Sequence, residues 1–210
     1  MEQIDLSAFT QEDVSFLKSG NYRTVFQYGP YAVKFLKPTI EKKYGPFTVT
    51  HDTKKYVRKW FGIDDLNEHE LQNYRRLQKE MPEYDENFAC VLEVRKLKGV
   101  SMSICELVTG MEGHRAPLLL EHGKVRDSQF WAQMYSIEQA LLERNIPYLD
   151  ASAYNVVVKT TEAGKIPVFV DHKRLGREMY PFQVLLRFSC CGKRKIRRKF
   201  ARMREQFQMR

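Results

Sequence analysis

Asp150, Asn155 and Asp171 are the residues whose types and spacing first suggest chemistry. Val156-Val157-Val158 and Val168-Phe169-Val170 read as two β-runs folded back on each other across a turn at Gly164. Strands running out and back return to the same edge. Asn155, before the first run, and Asp171, after the second, should therefore be neighbours. Asp150 opens the loop that leads to Asn155. Three oxygen-bearing side chains on one edge suit a hard divalent cation such as Mg²⁺ and the activation of a hydroxyl nucleophile. Read singly, Asp150 and Asn155 are turn-formers and Asp171 caps a turn. A further carboxylate, Glu70, lies in line with Tyr74, Leu77 and Met81 at i, i+4, i+7 and i+11, one face of a helix predicted over Leu66–Met81. If it is not a plain surface carboxylate, a charge on that apolar stripe needs a partner.

These side chains must be positioned by a mixed α+β chain. Thr24-Val25-Phe26 and Tyr31-Ala32-Val33-Lys34-Phe35-Leu36 flank the turn Tyr28-Gly29-Pro30 and predict a hairpin, and Phe88–Leu97 and Ser101–Val108 predict two more strands. The expectation for residues 1–108 is a sheet of at least four strands with one helix, and residues 39–60 read as a basic, irregular insert or poor helix. After a loop with Gly110, Gly113 and Pro117, Ser128–Arg144 predicts a strong helix whose buried stripe is Phe130, Met134, Ile137 and Leu141. A last helix is expected at about Lys193–Met209, with Ile196, Phe200, Met203 and Phe207 on one side. The 210 residues allow one good-sized domain or two small lobes around a cleft. No apolar run approaches the roughly 20 residues of a membrane span. The acidic start Met1-Glu2-Gln3-Ile4-Asp5 is unlike a secretory signal, and four cysteines are too few for a disulfide scaffold.

The net charge of +9 sits at one end. Arg187–Arg210 holds ten basic residues and one acid, Glu205, so the remaining chain is balanced. The basic helix has three readings: a docked amphipathic helix with a solvated basic face, a surface for anionic lipid or a phosphate-rich substrate, and nucleic-acid binding. The last is disfavoured because no recognised binding module accompanies the charge. Cys190-Cys191 reads as a buried or neutral pair, and the five histidines show no ligand spacing.

Taken together, Asn145–Val158 resembles the catalytic loop of the protein-kinase fold, in which Asp, four residues and Asn precede an apolar strand. Asp171 stands where that family keeps its metal-binding Asp, Ala32-Val33-Lys34 resembles the Ala-x-Lys strand, and Glu70 is the implied partner of Lys34. Leu17–Phe26 resembles the Gly-rich loop and Ile104-Cys105-Glu106-Leu107-Val108 the hinge strand beside adenine. There are departures. Only Gly20 of three loop glycines remains, with Lys18 and Arg23 in the other places. Tyr148-Leu149-Asp150 replaces His-Arg-Asp, Ser152 replaces a Lys, and Asp171-His172-Lys173 replaces Asp-Phe-Gly. Ile166–Asp171, Glu70–Tyr74, Cys190-Cys191 and Lys193–Phe200 further resemble the YrbL-type family of small bacterial proteins linked to the PhoP regulatory network.

The resemblance implies a single minimal kinase-like domain over 1–210, with an N-lobe at 1–108 and a truncated helical C-lobe at 109–210. It also implies the use of ATP and Mg²⁺ or Mn²⁺. Lys34, held by Glu70, would bind the α/β-phosphates. Asn155 and Asp171 would hold the metal, and Asp150 would accept the proton of an attacking hydroxyl. Gly20 would lie at the phosphates, and Glu106 and Val108 would offer backbone groups to adenine. The implied acceptor is a protein Ser/Thr, with a sugar or lipopolysaccharide-type substrate left open by Ser152, and a pseudokinase scaffold as the inactive alternative. The implied setting is the bacterial cytoplasm, with small effector-type kinases delivered into a host cell as a second home.

Overall fold

The computed structural model describes residues 14–146, 149–172 and 189–209; readings that fall on 1–13, Pro147, Tyr148 and 173–188 lie outside the described residues. The fold is α+β, with an N-terminal sheet lobe followed by a helical part. Strands β1 (Val14–Ser19), β2 (Arg23–Tyr28) and β3 (Tyr31–Leu36) form a meander, and β6 (Val91–Leu97) and β7 (Val100–Glu106) complete a five-stranded antiparallel sheet in the order β1-β2-β3-β7-β6. The tight β2–β3 turn is possible because Gly29 takes φ +51°.

Residues 39–60 are not irregular. They form a second hairpin, β4 (Thr39–Tyr44) and β5 (Phe47–Asp52), and most of helix α1 (Thr53–Phe61). Their basic composition masked the pattern: Lys43, Lys54, Lys55 and Lys59 are exposed and Lys42 lies over the Tyr22 and Tyr56 rings, while Ile40, Tyr56, Val57 and Phe61 gather a small core with Leu66. Asp52 caps α1 by accepting from the Lys55 amide at 2.7 Å, and Gly62 ends it at φ +66°. The N-terminal half therefore carries two α-helices rather than one.

The second of these, α2 (Leu66–Glu80), positions Glu70. Asp65 caps it through the Asn67 amide at 2.9 Å and also accepts from Ser101 Oγ at 2.9 Å, which pins the start of the helix to β7. Leu77 and Met81 are fully buried, and Tyr74 nearly so, so the apolar stripe faces the core.

The helical part contains a short α3 (Leu119–His122), the long α4 (Ser128–Glu143), the hairpin β8 (Val156–Thr161) and β9 (Gly164–Phe169), and the terminal α5 (Ser189–Phe207). Phe130, Met134, Ile137 and Leu141 of α4 are all buried in one cluster that also takes in Phe169 of β9 and Ile196, Phe200 and Met203 of α5. The terminal helix is thus docked by its apolar face. Cys190 and Cys191 are free thiols, the first exposed and the second half-buried, so that pair is not a buried one. The two halves are joined behind the cleft: the Ala89 amide donates to the Phe169 carbonyl at 2.9 Å, and Asn87 Nδ2 to the Pro167 carbonyl at 2.8 Å. Among the described residues no helix is long and apolar enough to cross a membrane.

Candidate active site

Sheet register sets one wall of the site. Val25 on β2 pairs with Lys34 on β3, and Lys34 pairs with Ser103 on β7, so their side chains share one face. Arg23, two residues before Val25, points the same way. This face meets α2 at Glu70. Lys34 Nζ lies 2.6 Å from Glu70 Oε1 and donates to the Val170 carbonyl at 2.7 Å. Arg23 pairs with the other Glu70 oxygen and, at 3.2 Å, with Asp171 Oδ1. Ser103 Oγ adds a donor to Glu70 at 3.3 Å, and Asn67 Oδ1 accepts from Arg23 at 3.1 Å.

Two cations and two carboxylates thus alternate in a chain, Lys34, Glu70, Arg23 and Asp171, of which the first three are buried and Asp171 is half-buried at the cavity. Burial alone would raise the Glu70 carboxyl, but Arg23 and Lys34 outweigh it and hold the group well below the usual carboxylate range. Burial pushes the neighbouring Cys105 thiol up to about 11, so it faces Lys34 as a neutral group.

The β8–β9 hairpin supplies the other wall. The Val170 amide donates to the Asn155 carbonyl at 3.0 Å, which brings the chain at Asp171 beside Asn155. Asn155 Nδ2 donates to Asp150 Oδ2 at 3.2 Å. Lys199 of α5 pairs with Asp150 Oδ1. Because its amide nitrogen is engaged on Asp150, Asn155 keeps its side-chain oxygen as an acceptor, and with the Asp171 carboxylate this makes an all-oxygen donor set that fits Mg²⁺ or Mn²⁺.

Between the walls lies a cavity of about 850 Å³, lined by Gly20, Lys34, Glu106, Val108, Asp150, Asn155 and Asp171 among others. Glu70 stands behind the lining, in contact through Lys34 and Arg23. The Gly20 amide is engaged within its own turn, donating to the Arg23 carbonyl at 2.8 Å. In the strand beside Cys90, the Glu106 amide donates to Cys90 and the Val108 carbonyl accepts from Ala116. Lys18 Nζ reaches across the mouth to the Tyr154 carbonyl at 3.1 Å, and burial lowers its pKa.

Sequence reasoning missed Arg23 as a member of this site, reading it only as a lost glycine. The signal was its alternation with Val25 once β2 is allowed to begin at Arg23. Lys199 is one base among many in the terminal helix, and none of the three readings of that helix sets it apart. His172 was assigned nothing, yet it is buried: its amide donates to Glu70 at 3.3 Å and its Nε2 lies 2.9 Å from the Ala89 carbonyl.

Nδ1 of His172 has no partner among the described residues, so protonation would bury an unpaired charged N–H, and burial lowers the imidazole pKa below the ordinary 6.5. The unfolded chain binds this proton more readily than the folded one. The stability linked to His172 is therefore present above pH 6.5 and lost as pH falls below it. The melting temperature of the wild type is expected to fall more steeply than that of His172→Phe between pH 6.5 and about pH 5. Parallel curves would show that the ring does not titrate on unfolding.

No family model matches the chain, and no curated protein does. Among solved structures, the chain is similar to the apo form of PpkA-294, at 13% identity and TM-score 0.42, over 78% of this chain and 58% of that one. It is similar to WbdD in co-crystals with a kinase inhibitor, at 17% identity and TM-score 0.45, over 81% of this chain and 35% of that one. A third likeness is to the PknI kinase domain of Mycobacterium tuberculosis, at 14% identity and TM-score 0.39, over 83% of this chain and 65% of that one. The chain spans less than two thirds of each of these solved chains. With none of the three TM-scores above 0.45, it is the geometry of the cleft that bears on function.

Proposed function

We propose that this chain is an ATP-dependent phosphotransferase of protein-kinase-like fold that moves the γ-phosphoryl group of ATP to a hydroxyl. The observation that carries the reading is the meeting, on one cavity, of the Lys34–Glu70 pair with Asp171 and the Asp150–Asn155 loop. Lys34 is held by Glu70 and Val170 at the cavity wall, where its ammonium would face a phosphate oxygen. Val108 lines the same cavity, where its backbone would meet the base. A magnesium or manganese ion held by Asn155 and Asp171 would supply charge neutralisation for the phosphate oxygens.

The acceptor oxygen forms the new bond to the γ-phosphorus as the bond to the β–γ bridging oxygen breaks. ADP leaves with the electron pair, and the acceptor's proton passes to Asp150. The Asp150 side chain is 37% exposed, so a hydroxyl on a large acceptor can reach it. This favours a protein Ser/Thr over a small sugar that would need enclosing.

The Arg23–Asp171 pair favours one second reading, a nucleotide-binding module without turnover, because a guanidinium already engages the carboxylate that the cation requires. Transfer of γ-label from ATP with Mg²⁺ or Mn²⁺ separates the two. Wild type is expected to label itself or a lysate protein, and Asp171→Ala to lower that label by about 10²–10³-fold. Thermal stabilisation by Mg-ATP with no transfer would establish the binding module instead. Neither binding nor transfer would sink the site.

A further inference from the structure

The loop from Asp150 to Asn155 contains Ala151, Ser152, Ala153 and Tyr154, and no basic residue. Yet the proposed acceptor end of the cleft gathers negative charge, since Asp150 and Asp171 must face the terminal phosphate. Arg23 meets Asp171 and Lys18 meets the Tyr154 carbonyl, but the cation on Asp150 comes from 49 residues further along the chain: Lys199 of α5, paired with Asp150 Oδ1 while Asn155 Nδ2 donates to Oδ2. Both carboxylate oxygens are thus held, which fixes the plane of the group that would take the proton.

The helix that delivers Lys199 is firmly seated. Ile196, Phe200 and Met203 are buried in the main core, and Phe200 packs on Phe169 with ring centres 6.3 Å apart. Arg204 pairs with the buried Glu138 of α4, and the Val125 amide donates to the Phe207 carbonyl at 2.8 Å. Lys199 lies on the shoulder of that buried face, one residue before Phe200, while Arg194, Arg197, Arg198 and Arg202 are exposed. It is not part of the cavity lining and meets the site through Asp150.

We infer that Lys199 is a positioning residue for the phosphoryl transfer, clamping the Asp150 carboxylate together with Asn155 and offsetting its repulsion of the terminal phosphate. This rests on the phosphotransferase reading above. The docked basic helix is then a structural member of the active site as well as a charged surface.

The test compares full-length wild type, Lys199→Met, Lys199→Arg and, as a control on the exposed face of the same helix, Arg202→Met. Initial rates of γ-label transfer give kcat and the KM for ATP, and melting temperatures are read with and without Mg-ATP. Lys199→Met is expected to lower kcat by about 10- to 100-fold with the KM for ATP changed less than about threefold and ATP stabilisation retained. Lys199→Arg should recover most of the rate, and Arg202→Met should match wild type. Unchanged kcat in Lys199→Met would overturn the proposal, and so would a rise, which would make Lys199 a plug. A loss shared by Arg202→Met would also overturn it, pointing to the helix's charge as a whole. If the phosphotransferase reading itself fails, the pattern differs: wild type too transfers no label, and the inference falls with it.

Discussion

Glu70→Ala is expected to destabilise the protein by about 3–5 kcal/mol, because it leaves Lys34 and Arg23 buried with their shared counter-charge removed. Arg23 is the less forgiving of the two. It cannot shed its proton, it is 2% exposed, and Asp171 would be its one remaining ion-pair partner among the described residues. Glu70→Gln keeps the shape and one acceptor, and should fall between the wild type and the alanine variant in a urea titration. The pH dependence has a definite sign. The folded state holds the Glu70 carboxyl below its ordinary value of 4.5, so the stability from this group is present above that pH and lost as pH falls below it. A Glu70→Ala protein that unfolds at the wild-type urea midpoint would show that the buried chain of charges contributes nothing net.

Asp150→Ala is expected to reduce label transfer by about 10²–10⁴-fold while leaving Mg-ATP stabilisation in place. Asp150 contacts Asn155 and Lys199, lies away from Lys34 in the network of ion pairs, and is part-exposed, so its removal should leave the fold intact. The separation of binding from turnover is what identifies a proton acceptor. A variant that lost nucleotide stabilisation to the same degree as turnover would instead make Asp150 part of the phosphate site.

Much of this arrangement was legible in the chain because two simple rules were at work. The out-and-back run of β8 and β9 required Asn155 and the chain at Asp171 to return to one edge, and the backbone bond from Val170 to Asn155 is that closure. The stripe over α2 showed that Glu70 shared a face with Tyr74 and Leu77, and the structure supplies the counter-charges that the stripe demanded. What was not legible depended on partners far apart in sequence. Arg23 is recognisable as buried only when β2 is started one residue earlier and its neighbour β3 is in register. Lys199 sits among many bases, and nothing local distinguishes it from Arg197 or Arg198; only the docking of α5, which brings Lys199 to Asp150, selects it. The hairpin at 39–52 was hidden for a different reason: an edge piece with exposed Tyr44, Phe47 and Val49 lacks the clean alternation that burial on one face imposes.

The bonds behind the cleft have a mechanical consequence. Ala89 is stitched to Phe169, Asn87 to Pro167 and Asn73 to the backbone of His172, while Arg23 on Asp171, Lys34 on Val170 and Lys18 on Tyr154 tie the two walls across the cavity by side-chain ends. Because Lys18 lies at the mouth, release of its contact with Tyr154 is a side-chain event that entry of an occupant would require.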